Sequence, residues 1–321
     1  MCTWVASDNA CFLEVKEILK NHPNGNVIKK NSIGLLIALA RARYAFVTHS
    51  FQDFGGIAIK TCPIINLWHG IPIKKMGFDS HNDIKLFSLH AFNPYKINDF
   101  VISSSKITKP FSMSCMNISS SKVLALGQPR NDFLYENRNN QHLIKKLKLN
   151  YSEKCNVKIF LYAPTFRDQK NTSLNIYDNL INSFTKNSKQ NDILVLRLHP
   201  KEKKLLANTI LPENVMLSII SDVQEELLAA DIMISDYSSI IFDFSILKRP
   251  IILYTPDKHC YFKNRGGSYF DYDETLRECK TINNNEIDSI WIAADDKENN
   301  YTTLAPLHTL FASQSIYEKF N

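Results

Sequence analysis

Residues 230–254, ADIMISDYSSIIFDFSILKRPIILY, decide the fold because apolar runs alternate there with short polar breaks. Residues 232–234 form an apolar run that is typical of a buried parallel strand. Residues 235–239 carry small hydroxyl and acidic side chains, which favour the start of a helix. The helix that follows is apolar almost all round, Pro250 ends it, and residues 251–254 are the next strand. The stretch therefore predicts a strand–turn–helix–strand unit of a parallel α/β sheet.

The turn at 235–239 has the features of an anion-binding site. Backbone N–H groups, the hydroxyls of Ser238 and Ser239 and the positive end of a helix dipole meet at the carboxyl edge of the sheet, where a phosphate binds well. The alternative is an ordinary helix start in which the serines only cap the helix. Capping serines are common, so this stretch alone favours the second interpretation.

The same alternation of apolar runs and helical patterns extends along the whole chain, which predicts parallel sheets. A polar, basic region at 136–156 interrupts it and predicts the boundary between two α/β domains, 1–150 and 151–321. Further strands are predicted at 3–6, 26–28, 44–48, 64–68, 99–105, 122–127, 158–163 and 193–198, and further helices at 11–21, 33–43 and 223–230.

Polar side chains recur where the predicted strands end. His69 follows the strand at 64–68, and a histidine titrates near neutrality, so it can remove a proton from a hydroxyl. Arg167 can pair with phosphate oxygens in a fork, and His199 can donate to a phosphate or protonate a leaving group. Each of them alone is explained as well by a structural role. Their recurrence, together with Arg130 and Asp236, predicts a ligand site in a cleft between the domains.

The charge of the chain is unevenly distributed. Its 321 residues carry a net charge of +6, and 44% of them are hydrophobic. Residues 1–150 contain 19 Lys and Arg against 9 Asp and Glu, a net charge of +10, whereas residues 151–321 contain 19 against 23, a net charge of −4. The basic half favours an anionic partner such as a membrane surface, and a solvated Lys-rich surface is the alternative.

The cysteines and the apolar runs predict a cytoplasmic protein. The seven cysteines are scattered without the spacing of a zinc site, which indicates reduced thiols. The longest apolar stretch, 33–40, is too short to span a bilayer, and no signal peptide is apparent. Membrane contact, on the inner face of the cell membrane, is therefore expected to be peripheral.

Five motifs stand in one order along the chain: WHGIPIK at 68–74, GQPRND at 127–132, YAPTFRD at 162–168, RLHP at 197–200, and SDYSS at 235–239 with LKRP at 247–250. Together they resemble the CDP-glycerol glycerophosphotransferase family, the teichoic-acid primases and polymerases, over roughly residues 27–271. The resemblance implies a GT-B fold, in which two Rossmann-like, doubly wound domains face a cleft. It assigns the acceptor to the first domain and the donor nucleotide to the second.

The resemblance also implies a reaction. A CDP-polyol gives its glycerol phosphate or ribitol phosphate to a hydroxyl of a lipid-linked or oligosaccharide acceptor, and CMP is released. This chemistry serves the synthesis of teichoic acid, capsule or O-antigen in the cell envelope. His69 is the implied general base and His199 a second catalytic residue, whereas the role of Asp236 stays open between positioning the turn and binding a donor hydroxyl. The implied donor-binding residues are Arg167, Arg197, Asp236, Ser238 and Ser239, and the implied acceptor-binding residues are Gly70, Lys74 and Arg130.

Other functions are weighed against this one. A GT-B glycosyltransferase that uses a nucleotide sugar has the same fold and would release a nucleoside diphosphate instead of CMP. A non-catalytic binding protein is disfavoured because both His69 and His199 stand in their motifs. Nucleic-acid binding is disfavoured because the basic half lacks a recognised motif with interleaved aromatic residues. No cofactor is expected, and no metal, because no cluster of acidic residues and histidines has ligand spacing.

Overall fold

The computed structural model describes residues 2–56, 59–80, 93–154, 156–167, 170–204, 206, 209–264, 266–293, 299 and 301–321. The chain divides into two compact units. Unit 1 consists of Met1–His69 and Met76–Gln128, and unit 2 consists of Gly70–Lys75 and Pro129–Asn321. The strands pair in parallel throughout the described sheets, so the predicted α/β class with parallel sheets is confirmed.

Unit 1 has a four-stranded sheet in the order β3-β4-β5-β6 and a separate pair, β1-β2. Ser32 begins the second helix because its hydroxyl accepts from the backbone N–H of Leu35 at 3.2 Å, the cap that the sequence predicts. The strands are β1 (Cys2–Ala6), β2 (Gly25–Lys29), β3 (Ala45–Val47), β4 (Ile64–Asn66), β5 (Phe100–Ser103) and β6 (Val123–Ala125), and the helices are α1 (Asn9–Ile18), α2 (Ile33–Arg41) and α3 (Lys109–Met116).

Unit 2 is built on a six-stranded sheet in the order β12-β11-β10-β7-β8-β9. Its strands are β7 (Lys158–Ala163), β8 (Asp192–Leu196), β9 (Val215–Leu217), β10 (Ile232–Ser235), β11 (Ile251–Tyr254) and β12 (Lys280–Ile282). Its helices are α4 (Pro129–Asn137), α5 (Gln141–Lys148), α6 (Lys170–Asn187), α7 (Pro200–Lys203), α8 (Val223–Ala229), α9 (Ile240–Ser245), α10 (Lys258–Asn264), α11 (Tyr272–Thr275), α12 (Ile290–Ala293) and α13 (Ala312–Phe320).

The central strands of unit 2 are buried on both faces. Along β7, Ile159 and Leu161 belong to the apolar core on one face of the sheet, and Phe160 and Tyr162 belong to the core on the other face. Successive side chains of a strand point to opposite faces, so burial of both faces requires the continuous apolar run that the sequence shows. The predicted bounds 158–163 and 251–254 therefore agree with β7 and β11.

Unit 2 begins at Pro129, whereas the sequence places a boundary near residue 150. The helices α4 and α5 have polar compositions, but α4 buries Leu134 and α5 buries Ile144 and Leu147, all in one core of unit 2. The ammonium of Lys148 adds an ion pair to Asp231 at 2.6 Å. A composition that looks like a linker here belongs to amphipathic helices, because only a few positions of each helix face the core.

The short segment Gly70–Lys75 lies in unit 2 although the chain on both sides of it lies in unit 1. The side chains of Ile71 and Ile73 are buried in a core of unit 2. The carbonyl of Ile73 accepts from the backbone N–H of Tyr269 at 2.9 Å, and the N–H of Lys75 donates to the carbonyl of Gly267 at 3.1 Å. The segment is thus held in unit 2 by packing and by backbone hydrogen bonds.

Several element ends differ from the predicted bounds for local reasons. The strand predicted at 64–68 ends at Asn66, because the amide oxygen of Asn66 accepts from the N–H of Trp68 at 2.8 Å and turns the chain there. The helix predicted at 33–43 ends at Arg41, since Ala42 is extended. The helix that was expected to run up to Pro250 ends at Ser245, and Lys248 beyond it has a left-handed backbone.

The sequence also raises expectations about the cysteines and about membrane-spanning helices. Cys155 lies outside the described residues, and the other cysteines are free thiols. Within the described ranges, no helix combines the length and the apolar character needed to cross a membrane.

Candidate active site

The strand order of unit 2 reverses between β7 and β10, the neighbours at the centre of its sheet. From β7 the chain continues through β8 and β9 on one side, and through β10, β11 and β12 on the other. Ligands of open parallel sheets bind at such a switch point, outside the carboxyl ends of the strands. The loops after β7 and β10 carry Arg167, Asp236, Ser238 and Ser239, so four of the five predicted donor-binding residues follow the two strands of the switch point, and Arg197 follows β8.

Asp236 ties these two loops together. Its carboxylate accepts from the backbone N–H of Thr165 at 2.8 Å and from the Thr165 hydroxyl at 2.7 Å. It also pairs with the guanidinium of Arg167. The side chain of Asp236 is fully buried. Of the two roles that the sequence leaves open, this geometry supports positioning of the turn.

Arg167 is surrounded by carboxylates. Besides Asp236 it contacts Asp257, with 2.9 Å from Nη2 to Oδ1 and 3.1 Å from Nε to Oδ2. The Tyr237 hydroxyl donates to the same Asp257 Oδ1 at 2.9 Å. Burial alone would lower the pKa of Arg167, but the two carboxylates outweigh it and raise the pKa. Its guanidinium therefore stays charged and organises the loop after β10, while Asp168 of the same motif lies outside the described residues.

The two serines at the start of α9 are not equivalent. The hydroxyl of Ser238 lies 3.5 Å from the backbone N–H of Ile240, at the limit of a hydrogen bond. Ser239 is the N-cap residue of α9, and its side chain makes no capping hydrogen bond. A capping hydrogen bond of its side chain therefore does not account for Ser239, which is half-buried.

Arg197 braces the loops around β8 and β9. Its Nη1 pairs with Glu226 at 2.5 Å and donates to the carbonyl of Ile220 at 3.0 Å. The same atom donates to the Ser218 hydroxyl at 3.2 Å. In this structure its hydrogen bonds go to unit 2 itself, which is the environment of a positioning residue.

His199 begins the short helix α7 and is exposed. The backbone N–H of Lys201 donates to its Nδ1 at 3.3 Å. Because a backbone N–H can only donate, Nδ1 accepts, and the neutral ring carries its proton on Nε2. His199 therefore presents a hydrogen-bond donor at Nε2.

The predicted acceptor-binding residues Gly70, Lys74 and Arg130 all belong to unit 2, not to the unit that was expected to bind the acceptor. Arg130 pairs with Asp243 at 2.7 Å. Gly70 has φ of +144°, and a Cβ there would lie 2.8 Å from the Ser239 Oγ and 3.0 Å from the Arg130 Nη2. Glycine is therefore required at this point, and Gly70, Arg130 and Ser239 line one place in unit 2.

His69 is the last residue of the first stretch of unit 1, and its neighbours hold it in a strained turn. The preceding Trp68 is a buried residue with φ of +60°, a backbone conformation that residues other than glycine rarely adopt. The Nδ1 of His69 lies 2.9 Å from the carbonyl oxygen of Thr48. A carbonyl can only accept, so the proton is on Nδ1 and Nε2 of the neutral ring carries the lone pair.

The two motif histidines thus hold opposite tautomers. His69 presents a lone pair at Nε2, as a general base must, whereas His199 presents an N–H at Nε2, as a donor to a phosphate must. A backbone carbonyl sets the first tautomer and a backbone N–H sets the second. The sequence predicts both residues, but it cannot predict these tautomers because Thr48 is 21 positions from His69.

Two further residues join these sites. Asp257 stands in the loop after β11 and joins the Arg167 cluster, and His49 stands in the loop after β3 with its ring stacked on that of His69. The rule that polar residues after a strand face the site, applied to β3 and β11, would have found both. Among the residues that the structure describes, no group of three or more His, Cys, Asp or Glu is arranged to hold a metal ion.

Comparison with known proteins identifies the family of the chain. The family model for CDP-Glycerol:Poly(glycerophosphate) glycerophosphotransferase matches residues 3–314. The chain is 31% identical over 262 residues to the teichoic acid poly(glycerol phosphate) polymerase of Bacillus spizizenii, covering 78% of this chain and 65% of that protein. It is 29% identical over 301 residues to the teichoic acid ribitol-phosphate primase of the same organism, covering 82% and 73%.

The chain spans about two thirds of the length of such relatives and 34% of a longer polymerase from Bacillus subtilis. The structure of the wall teichoic acid polymerase TagF matches with a TM-score of 0.72 at 20% identity, over 99% of this chain and 86% of that one, and supports the fold. The resemblance found in the five motifs is thus confirmed over nearly the whole sequence, and the chain belongs to the CDP-glycerol:poly(glycerophosphate) glycerophosphotransferase family.

Proposed function

We propose that this chain transfers glycerol phosphate or ribitol phosphate from a CDP-polyol to an acceptor hydroxyl, in the synthesis of teichoic acid or a related cell-surface polymer. Family membership supports the reaction class, since the chain is similar both to glycerol-phosphate and to ribitol-phosphate enzymes. The observation that carries the proposal is the pair of opposite tautomers at His69 and His199, because the reaction needs one proton acceptor and one hydrogen-bond donor.

In the proposed reaction, His69 accepts the proton of the acceptor hydroxyl at Nε2. The oxygen attacks the β-phosphorus of the CDP-polyol, a new P–O bond forms, and the bond to the leaving phosphate breaks. CMP leaves with the electron pair of that bond. His199 donates from Nε2 to a pyrophosphate oxygen and stabilises the charge that moves onto CMP.

The donor-binding residues have two different roles in this proposal. The hydroxyls of Ser238 and Ser239 contact the pyrophosphate, because they stand at the switch-point edge of the sheet. Arg167, Arg197 and Asp236 position the loops, because their charged groups are engaged by Asp257, Glu226 and one another.

Incubation with CDP-glycerol, CDP-ribitol and common nucleotide sugars tests the proposal. We expect CMP and a phosphodiester product from one CDP-polyol, and about 10²- to 10⁴-fold slower formation of both by His69→Ala. His22→Ala, which changes an exposed histidine of the same unit, is the control. Release of a nucleoside diphosphate from a nucleotide sugar would instead identify a glycosyltransferase and overturn the proposal.

The acceptor in this proposal is lipid-linked, and unit 1 binds the cytoplasmic membrane surface peripherally. The net charge is +5 for unit 1 and +1 for unit 2. The two units therefore differ less in charge than the two predicted domains do. Exposed apolar side chains also support membrane contact by unit 1: Ile33 and Ile37, one turn apart on α2, are 75% and 54% exposed. An apolar pair beside Arg41 suits the interface of an anionic bilayer.

Co-sedimentation with vesicles tests the membrane contact. Binding is expected with anionic vesicles and should fade with salt. The double variant Ile33→Ser and Ile37→Ser should bind about tenfold more weakly, whereas Ile219→Ser, an exposed isoleucine of unit 2, should bind like wild type. Equal binding to neutral vesicles, or none at low salt, would indicate a soluble acceptor.

A further inference from the structure

A second histidine of unit 1 lies directly against His69. The rings of His49 and His69 stack with 4.3 Å between their centroids and 23° between their planes. His49 is exposed and follows β3, as His69 follows β4. Because β3 and β4 are parallel neighbours, both histidines lie at the same edge of the four-stranded sheet.

One residue, Thr48, orients both rings. Its carbonyl accepts from His69 Nδ1, and its hydroxyl oxygen lies 3.2 Å from His49 Nδ1. The same hydroxyl lies 3.5 Å from Oδ2 of Asp53. A carboxylate only accepts, so when the Thr48 hydroxyl donates to Asp53, its oxygen is left to accept from His49 Nδ1–H. In this arrangement both neutral rings carry their lone pair on Nε2.

The backbone around both histidines is fixed as well. Asp53 Oδ2 accepts from the N–H of Thr48 at 2.9 Å and from the N–H of His49 at 3.0 Å. The fully buried Asn66 donates from its amide to the carbonyl of His49 at 2.9 Å, while its amide oxygen holds the N–H of Trp68. The two loops are therefore joined through Asn66. A binding site needs this kind of preorganisation, whereas a solvated surface histidine does not.

We propose that His49 binds the acceptor through the hydroxyl next to the one that reacts. This inference rests on the proposed function. A polyol or sugar end presents two adjacent hydroxyls, and two neighbouring Nε2 lone pairs can accept one hydrogen bond from each. His69 takes the proton of the attacking hydroxyl. His49 accepts a hydrogen bond from the adjacent hydroxyl of the acceptor and takes no proton. The ligand class is therefore an acceptor that ends in a vicinal diol.

The test compares kcat/KM for an acceptor that ends in a vicinal diol with kcat/KM for its deoxy analogue, which lacks the neighbouring hydroxyl. Wild type should prefer the diol by about three- to tenfold, the range of one net hydrogen bond. His49→Phe keeps a ring to stack on His69 and should lose this preference, with KM for the CDP-polyol unchanged. Thr48→Val keeps the backbone carbonyl that holds His69, and it should lose part of the preference for the diol.

His22→Phe, an exposed histidine of unit 1, is the matched control and should keep the preference. If His49→Phe keeps the full preference, or loses activity equally on both acceptors, the inference is overturned while the proposed function stands. If wild type turns over no CDP-polyol, the proposed function fails and this inference fails with it. A preference lost in His49→Phe and kept in His22→Phe supports the inference.

Discussion

The loops after the strands hold their polar side chains in different ways in the two units. In unit 1, His69 is half-buried and is oriented through a neutral backbone carbonyl. In unit 2, Arg167, Asp236 and Asp257 are engaged mainly with one another, and Arg167 and Asp236 are buried. A position after a strand therefore does not distinguish a reacting group from one that shapes a loop. The partners of its polar atoms do.

Removal of His69, the proposed general base, should have the largest effect on activity. We expect His69→Ala to fold normally and to lose transfer activity by about 10²- to 10⁴-fold, the usual effect of removing a general base. Single-turnover rates and a thermal melt measure the two properties separately. A folded variant with near wild-type rate would show that the Nδ1–H tautomer of His69 has no catalytic purpose.

Removal of Arg167 should instead act on stability. Arg167→Met leaves the buried Asp236 and the half-buried Asp257 without their cation, which should cost about 3–5 kcal/mol of the free energy of unfolding. Arg277→Met, which breaks an exposed pair with Glu274, should cost no more than about 1 kcal/mol. Denaturant melts of both variants give these values. Equal effects would mean that the buried cluster does not organise unit 2.

The two serines test whether the loops of unit 2 also bind. The double variant Ser238→Ala and Ser239→Ala should bind a CDP-polyol about tenfold more weakly, as expected from loss of about one to two hydrogen bonds, with little change in melting temperature. Calorimetric titration measures this affinity, and Ser289→Ala is a control in the same unit. Unchanged affinity would return Ser238 and Ser239 to a purely structural role.

Glu278 is an intermediate case, in which a carboxylate near the surface is held by neutral donors. Some burial raises its pKa, but hydrogen bonds from Thr302 and Thr303 outweigh this and lower the pKa to about 2. A lowered pKa stabilises the fold above the ordinary pKa of the group, and this contribution is lost as the pH falls towards 2.

We expect Glu278→Gln to lower the melting temperature by about 2 °C at most near neutral pH, with the difference from wild type shrinking as the pH falls below 4.5. Thermal melts from pH 7 to pH 2.5 follow this difference. A difference that grows towards low pH would contradict the assigned direction.

The sequence predicts the central strands of unit 2 well, whereas the predicted boundary near residue 150 differs from the division into compact units. The strand at 158–163 is predicted to the residue because burial of both faces demands an unbroken apolar run. The polar region 136–156, where the sequence predicts a domain boundary, contains α5, because only single positions of that helix, such as Ile144 and Leu147, face the core. Composition averaged over a window cannot reveal so narrow a stripe.

The sequence nominates candidate site residues but not the partners of their polar atoms. Strand-end position and motif together single out His69, His199 and Asp236. The contacts that decide their roles come from residues 2 to 71 positions away, such as the Thr48 carbonyl and the Thr165 backbone. Only the folded chain brings these groups to hydrogen-bonding distance, so the tautomers and the network around Asp257 require the structure.

The excursion of Gly70–Lys75 into unit 2 has a consequence for dissecting the enzyme. A fragment that begins at Pro129 lacks Ile71 and Ile73, two buried members of its own core. Chimaeras between family members that exchange only the carboxyl-terminal part would pair a core from one parent with these two isoleucines from the other. A chimaera that preserves function has to take Gly70–Lys75 from the same parent as the carboxyl-terminal part. One junction between the two parental sequences then lies at the peptide bond between His69 and Gly70.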